Sequence, residues 1–167
     1  QKKNFGAEHA AALASLRETT IIFTLPNADT DGRSALKLVN DFAKNHSNAF
    51  VYTSLGQLRY YSCLAQVDCV IGNSSSGLLE VPAFKKGTVD IGDRQRGRLK
   101  ASSVVSCEPK SPDILSAIRT VYSAEFRLGL DTLQNPYGEG GASEKIVSTI
   151  GKADLSNMLK KKFYTKQ

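Results

Sequence analysis

The sequence predicts an α/β fold built on a doubly wound, Rossmann-like parallel sheet. Three observations lead there. Short runs of β-branched and aromatic residues recur at Thr20–Leu25, Ala49–Thr53, Cys69–Gly72, Thr88–Ile91 and Ser103–Cys107. Between them, apolar residues fall three and four apart over Ala7–Arg17, Ser34–Asn45, Gln57–Gln66 and Leu78–Phe84. No internal repeat and no Gly/Ser or Pro-rich linker breaks the alternation. Short strands alternating with helices are the mark of βαβ units, whose right-handed crossovers put helices on both faces of a parallel sheet.

Taken in order, the elements fit this scheme with one oddity. The chain opens on the helix-like Ala7–Arg17 with no strand before it, whereas a doubly wound layer ordinarily starts with a strand. That points to a fragment cut inside a larger fold. The first strand ends in Pro26-Asn27-Ala28-Asp29-Thr30-Asp31-Gly32-Arg33. Its Asn and Asp serve as turn formers and caps, or else present an amide and a carboxylate to a ligand at the sheet edge. Gly32 and Gly56 punctuate strand-to-helix connections. Ser111-Pro112-Asp113 reads as an N-cap followed by proline at the first helical position, opening a helix to Ser123. The Gly-rich loop Asn135-Pro136-Tyr137-Gly138-Glu139-Gly140-Gly141 precedes a helix over Ala142–Ile150, and spacing assigns it no chemistry. Gly151–Gln167 reads as a short helix ending in a basic tail. The expected organisation is a domain over residues 1–150 and a solvated extension over 151–167.

Composition narrows the class of partner. A chain of 167 residues with 41% hydrophobic and 23% charged residues suits one globular domain. No apolar stretch approaches the ~20 residues that cross a bilayer, and no apolar signal core follows Gln1-Lys2-Lys3-Asn4. A soluble, cytoplasmic protein without membrane contact is expected. Lys and Arg number 22 against 16 Asp and Glu, a formal +6 that favours anionic partners. The charge is clustered at Lys85–Lys86, at Arg94, Arg96, Arg98 and Lys100, and at Lys160–Lys162. Without Trp, and with no aromatics between the basic runs, nucleic acid is disfavoured. Cys63, Cys69 and Cys107 form neither a zinc pattern nor a CxxC, and read as free thiols of a reducing compartment. His9 and His46 stand alone on polar helical stretches and read as surface residues. Metal clusters, a Ser-His-Asp arrangement, an identifiable general acid or base and a cofactor motif are all missing.

The strongest local signal is Cys69-Val70-Ile71-Gly72-Asn73-Ser74-Ser75-Ser76-Gly77-Leu78-Leu79-Glu80. A buried strand runs into a turn of small residues and then a helix. At the carboxyl end of a strand in an open α/β sheet, such a turn offers backbone N–H groups and hydroxyls to a phosphate. An ordinary βα turn capped by a serine satisfies the same pattern. Glu80 either caps a backbone N–H or accepts hydrogen bonds from sugar hydroxyls. Gly92-Asp93-Arg94-Gln95-Arg96-Gly97-Arg98 follows the next strand and belongs on the same sheet edge. Arginine suits bidentate phosphate contact, although a solvated basic loop has the same composition. Two anion-friendly loops on neighbouring strand ends favour a diphosphate.

Together these segments resemble the UDP-N-acetylglucosamine 2-epimerase family. The resemblance rests on Pro26-Asn27-Ala28-Asp29, Ser54-Leu55-Gly56-Gln57, Ile71–Gly77, Ile91–Gly97 and Asn135–Gly141, in that order, over about Phe5 to Ile150. It is closest to the hydrolysing branch, which supplies N-acetylmannosamine for sialic-acid synthesis. The resemblance implies a two-domain, glycosyltransferase-B-like fold, of which this chain is the C-terminal, nucleotide-binding half. It also implies a partner N-terminal domain and a tendency to homodimerise. Family enzymes eliminate UDP from UDP-N-acetylglucosamine through 2-acetamidoglucal. The hydrolysing branch then adds water, and the non-hydrolysing branch adds UDP back.

By the same resemblance, Ser74 and Ser75 bind the diphosphate and Gly77 brings backbone N–H groups close. Glu80 binds the ribose, Arg94 contacts the nucleotide phosphates and Arg98 is a second candidate. Ser54 and Leu55 meet the uracil, and Asn27 matches a site asparagine. The family's acid/base carboxylates and the histidine of a His-Pro turn have no counterpart here, so no catalytic residue is assigned and the piece alone is expected not to turn over substrate. The rival readings are the non-hydrolysing epimerase, a glycosyltransferase of the same fold class, and a non-catalytic anion-binding module.

Overall fold

The computed structural model describes residues 6–25 and 32–154. The chain divides into two compact units, Gln1–Tyr137 and Gly138–Gln167. The first contains α1 (Ala7–Ala14), β1 (Ile21–Thr24), α2 (Gly32–Asn45), β2 (Ala49–Tyr52), α3 (Gly56–Gln66), β3 (Cys69–Gly72), α4 (Ser76–Leu79), a 3-10 turn (Val81–Phe84), β4 (Gly87–Ile91), β5 (Val104–Cys107), α5 (Ser111–Tyr122) and α6 (Ala124–Gly129). The second holds α7 (Ala142–Lys152), so that helix is grouped with the C-terminal segment. Residues 155–167, where the basic tail was expected, lie outside the described residues.

All five expected strands form, within a residue of the expected ends, and every pairing is parallel. They make two ladders, β1-β2 and β3-β4-β5, and β1 shares no ladder with β3. The order β2-β1 followed by β3-β4-β5 matches positions 3-2 and 4-5-6 of a doubly wound sheet. The two ladders still share apolar packing, because Leu16 and Ile71 touch both core clusters.

β4 is buried along its whole length, as the middle strand of its ladder should be. Val89 and Ile91 pack there with Ile114, Ala117, Ile118 and Val121 of α5, the i, i+3, i+4, i+7 stripe of an amphipathic helix. Each such aliphatic side chain contributes about 1.5–3 kcal/mol on burial. Under β1 and β2 the smaller core joins Leu13, Phe42 and Ala49, with Phe23 set edge-on to Phe42 at 5.6 Å.

The helix ends depart from expectation in two places. Ser111 is the first residue of α5 rather than its cap, and the cap, Lys110, supplies no side-chain bond. The free Ser111 N–H donates instead to the Glu8 carboxylate of α1 at 2.7 Å, a cap brought in from a distant part of the chain. The helix expected over Leu78–Phe84 is a single α-turn and a 3-10 turn, with Pro82 at the start of the latter. Proline cannot donate to the preceding turn, so the α geometry does not run on.

Both histidines bond to backbone. His46 Nδ1 pairs with the Phe42 carbonyl at 2.8 Å while its ring stacks on Phe42 at 3.9 Å. His9 Nδ1 accepts the Gly6 N–H at 3.4 Å, and burial lowers its pKa against a smaller opposing pull from Glu8.

All three cysteines are free thiols. Burial raises Cys69 and Cys107 from an ordinary value near 9 to about 11. Because the folded state favours the protonated thiol, this contribution to stability is complete below pH 9 and disappears as pH rises through about 11. At pH 8 both thiols are expected to react with iodoacetamide about 100-fold more slowly than in the urea-unfolded chain, in proportion to their thiolate fraction. Peptide-resolved mass spectrometry reads the two rates. Equal rates in the folded and unfolded chains would contradict the assignment.

Candidate functional site

The carboxyl ends of the strands carry a cleft of about 430 Å³. Thr24 and Leu25 enter it from the end of β1, Thr53 and Ser54 from the end of β2, Leu55 from the connection to α3, and Glu80 from the end of α4. Ser54, Leu55 and Glu80, expected from sequence to share a ligand, therefore meet in one place. Such a volume suits a small organic ligand. The Ser54 Oγ is engaged locally, accepting the Gly56 N–H at 3.2 Å where α3 begins. That bond uses one lone pair of the hydroxyl and leaves its O–H free to donate, beside the backbone of the Ser54–Leu55 segment.

Tyr60 and Tyr61 of α3 also line the cleft, and sequence reading had passed over both. A carboxylate only accepts, so the Ser76 hydroxyl donates its one hydrogen to Glu80 Oε2. Ser76 must then accept from the Tyr60 hydroxyl, 2.5 Å away. Tyr61 donates to Glu80 Oε1 at 3.3 Å. Burial, chiefly, raises the Tyr60 pKa and keeps that phenol a donor at neutral pH. Among the described residues Glu80 caps no backbone N–H; hydroxyls bond both its oxygens, and a carboxylate oxygen retains lone pairs that can accept further donors. The i, i+4 spacing of Ser76 and Glu80 was the available signal for this pair.

Ser74 and Ser75 sit on the turn between β3 and α4 and do not line the cleft. The Ser74 Oγ accepts the Ser76 N–H at 3.3 Å, and Ser75 makes no side-chain cap. Since α4 is a single turn, its dipole is weak, and the turn's capacity for an anion rests on local N–H and hydroxyl groups. Gly77 was expected to bring backbone N–H groups close to a phosphate. Its own N–H donates to the Ser74 carbonyl at 3.2 Å, so it is not free for a phosphate. The glycine instead provides room, because a Cβ there would lie 2.7 Å from the Thr88 Cγ2.

The loop after β4 is bounded by Gly92 and Gly97, whose φ of 81° and 80° favour glycine. Arg94 is exposed, with its Nη1 3.5 Å from the Asn73 Oδ1 beside the serines. Arg98 is exposed too, at the far end of the loop. Gln95, between them, is only 3% exposed, and its Nε2 donates to the Asn73 carbonyl at 2.7 Å. The Asn135-Pro136-Tyr137 segment, without assigned chemistry from sequence, bonds to the end of α4 and to the chain just past the arginine loop. Asn135 Nδ2 donates to the Leu79 carbonyl at 3.4 Å and the Tyr137 hydroxyl to the Leu99 carbonyl at 3.0 Å. Asn27 lies outside the described residues.

With this geometry in place, a family profile described as UDP-N-acetylglucosamine 2-epimerase matches residues 2–151. The chain is 35% identical over 153 residues to the Campylobacter jejuni protein named GDP/UDP-N,N'-diacetylbacillosamine 2-epimerase (hydrolyzing), covering 90% of this chain and 39% of that protein. It is 33% identical over 145 residues to the Escherichia coli polysialic acid biosynthesis protein P7, covering 86% and 37%. Among solved structures, Neisseria meningitidis UDP-GlcNAc 2-epimerase bound to UDP-GlcNAc superposes with a TM-score of 0.61 at 18% identity, over 80% of this chain and 36% of that one. A putative UDP-N-acetylglucosamine 2-epimerase from Listeria monocytogenes superposes with a TM-score of 0.67 at 14% identity, over 84% and 38%. The glycosyltransferase-B-like fold class follows from these superpositions. The chain spans about two fifths of the length of its curated relatives.

The seat of the serine turn can be tested without ligand. Gly77→Ala is expected to cost about 1–3 kcal/mol by overpacking against Thr88, read as a fall in Tm. Adding Thr88→Ser removes the Cγ2 and keeps the hydroxyl, and is expected to recover most of the loss. A Gly77→Ala protein of unchanged Tm would contradict the close approach.

Proposed function

The chain belongs to the UDP-N-acetylglucosamine 2-epimerase family, and we propose that it is the C-terminal, nucleotide-binding half of a hydrolysing UDP-sugar 2-epimerase of the cytoplasm. The observation that carries this reading is the cleft at the carboxyl ends of β1 and β2 that joins the adjacent Ser54 and Leu55 to Glu80, a residue distant from them in sequence. In this reading the Ser54–Leu55 backbone meets the uracil, and Glu80 accepts from the ribose hydroxyls. Ser74, Ser75 and Arg94, with Arg98 in addition, face the diphosphate.

The chemistry of the whole enzyme follows from what a diphosphate does when it leaves. Removing the proton at sugar C2 while the C1–O bond breaks gives 2-acetamidoglucal and UDP, and water then adds to give N-acetylmannosamine. The bond-breaking step places negative charge on the β-phosphate oxygen. Arginine and hydroxyl donors stabilise that charge best where it develops. The acid and base that move protons would come from the rest of the enzyme. Names of the relatives support a hydrolytic outcome, two of them carrying the word hydrolyzing. A relative named for polysialic acid biosynthesis supports a place in sialic-acid supply.

Isothermal titration of UDP into this chain, with Arg94→Ala and Ser75→Ala alongside, tests the reading. Arg94→Ala is expected to weaken binding about 10–100-fold, the range of a hydrogen bond to a charged group, and Ser75→Ala about tenfold. Glu80→Ala is expected to erase the preference for UDP over 2'-deoxy-UDP. Binding that responds equally to any polyanion, and is indifferent to uridine, would favour a non-catalytic anion-binding module instead.

A further inference from the structure

We propose that Gln95 is a positioning residue whose buried amide locks the arginine loop onto the serine turn, so that the two loops act on one anion as a single unit. For its ligand this rests on the nucleotide reading above; for its geometry it does not. The loop is fixed separately at both ends. Gly92 N–H donates to the Cys107 carbonyl at 2.9 Å where β4 finishes. At the other end, Tyr137 holds Leu99 and the Lys100 ammonium bonds Asp90 at 2.8 Å and Ser106 at 2.6 Å. Neither anchor reaches the middle of the loop, which carries Arg94 and Arg96 into solvent.

Gln95 points the other way. It is 3% exposed between two exposed arginines, and its Nε2 reaches across 22 positions of sequence to the Asn73 carbonyl. That carbonyl can only accept, which fixes the amide's orientation and leaves Gln95 Oε1 buried with no hydrogen-bond partner in the described structure. A glutamine kept in such a place at the cost of an unsatisfied acceptor earns its position through the other end. The same residue's carbonyl accepts the Arg98 N–H at 3.3 Å, so the clamp also shapes the loop's own turn. The exposed Arg94–Asn73 side-chain contact, at 3.5 Å, is long and open to water and cannot substitute for it.

The test uses Gln95→Met, which keeps length and removes the donor, and Gln95→Glu, which keeps shape and removes it when ionised. In the ligand-free chain, the amides of Gly77, Leu78 and Arg96 are expected to exchange about tenfold faster with solvent, the loss of one buried hydrogen bond, while Val105 in β5 is unchanged. In titrations, UDP is expected to bind about tenfold more weakly and uridine, which has no phosphate, equally well. Unchanged exchange at the serine turn would overturn the proposal. So would equal losses for UDP and uridine, the outcome of a merely structural role. If the unaltered chain binds no UDP, the nucleotide reading falls and the exchange rates alone decide the clamp.

Discussion

The serine turn hangs on a single buried hydroxyl. Thr88, 2% exposed in the middle strand of its ladder, donates from its Oγ1 to the Gly77 carbonyl at 2.8 Å. Its N–H is committed to the Ser103 carbonyl, and its methyl fills the space a side chain at position 77 would need. One residue therefore fixes both the height of the turn above the sheet and the identity of the residue that can occupy it. Everything attached to that turn inherits the constraint: Ser76 and through it Glu80 and Tyr60, and Asn73 and through it the arginine loop. A threonine suits this place because its hydroxyl satisfies the Gly77 carbonyl while its methyl fills the space beside that glycine.

The positive charge is organised from beneath the surface. Asp90 lies two residues beyond Thr88 on β4, 1% exposed, and takes the Lys100 ammonium. That pairing leaves the lysine engaged at the base of the loop and the arginines exposed at its rim. A buried carboxylate is costly unless paired, so the position of Lys100 is tied to Asp90, and the span of the arginine loop to both. The formal +6 of the composition does not distinguish these roles; only the pairing does.

What the sequence made legible was whatever is encoded within a few residues. Alternating short strands and helical stripes set the parallel layer. The small-residue turn after β3 and the arginines after β4 are found, as expected, at the ends of neighbouring strands of one ladder. The bonds that assemble the fold and the site join distant residues: Glu8 to Ser111 at the start of α5, and Gln95 to Asn73 and Tyr137 to Leu99 around the loops, pairs separated by 103, 22 and 38 positions. No periodicity reports such pairs. Pro82 shows the local limit of the same reasoning. Apolar spacing over Leu78–Phe84 fits a helix, yet a missing N–H is enough to divide it into an α-turn and a 3-10 turn.

The division of the sheet bears on how the site works. Ser54 and Leu55 follow β2, whereas the serine turn and the arginine loop follow β3 and β4, and among the described residues no strand pairing joins the two ladders. Across the junction run apolar contacts of Leu16 and Ile71 and the hydroxyl chain from Tyr60 of α3 through Ser76 to Glu80. The lining of the cleft therefore comes from elements on both sides of this junction. Side-chain bonds of this kind are individually modest, about 1 kcal/mol each. In the proposed binding mode, a uridine at Leu55 with its ribose on Glu80 and its phosphates on the serine turn would span the same junction.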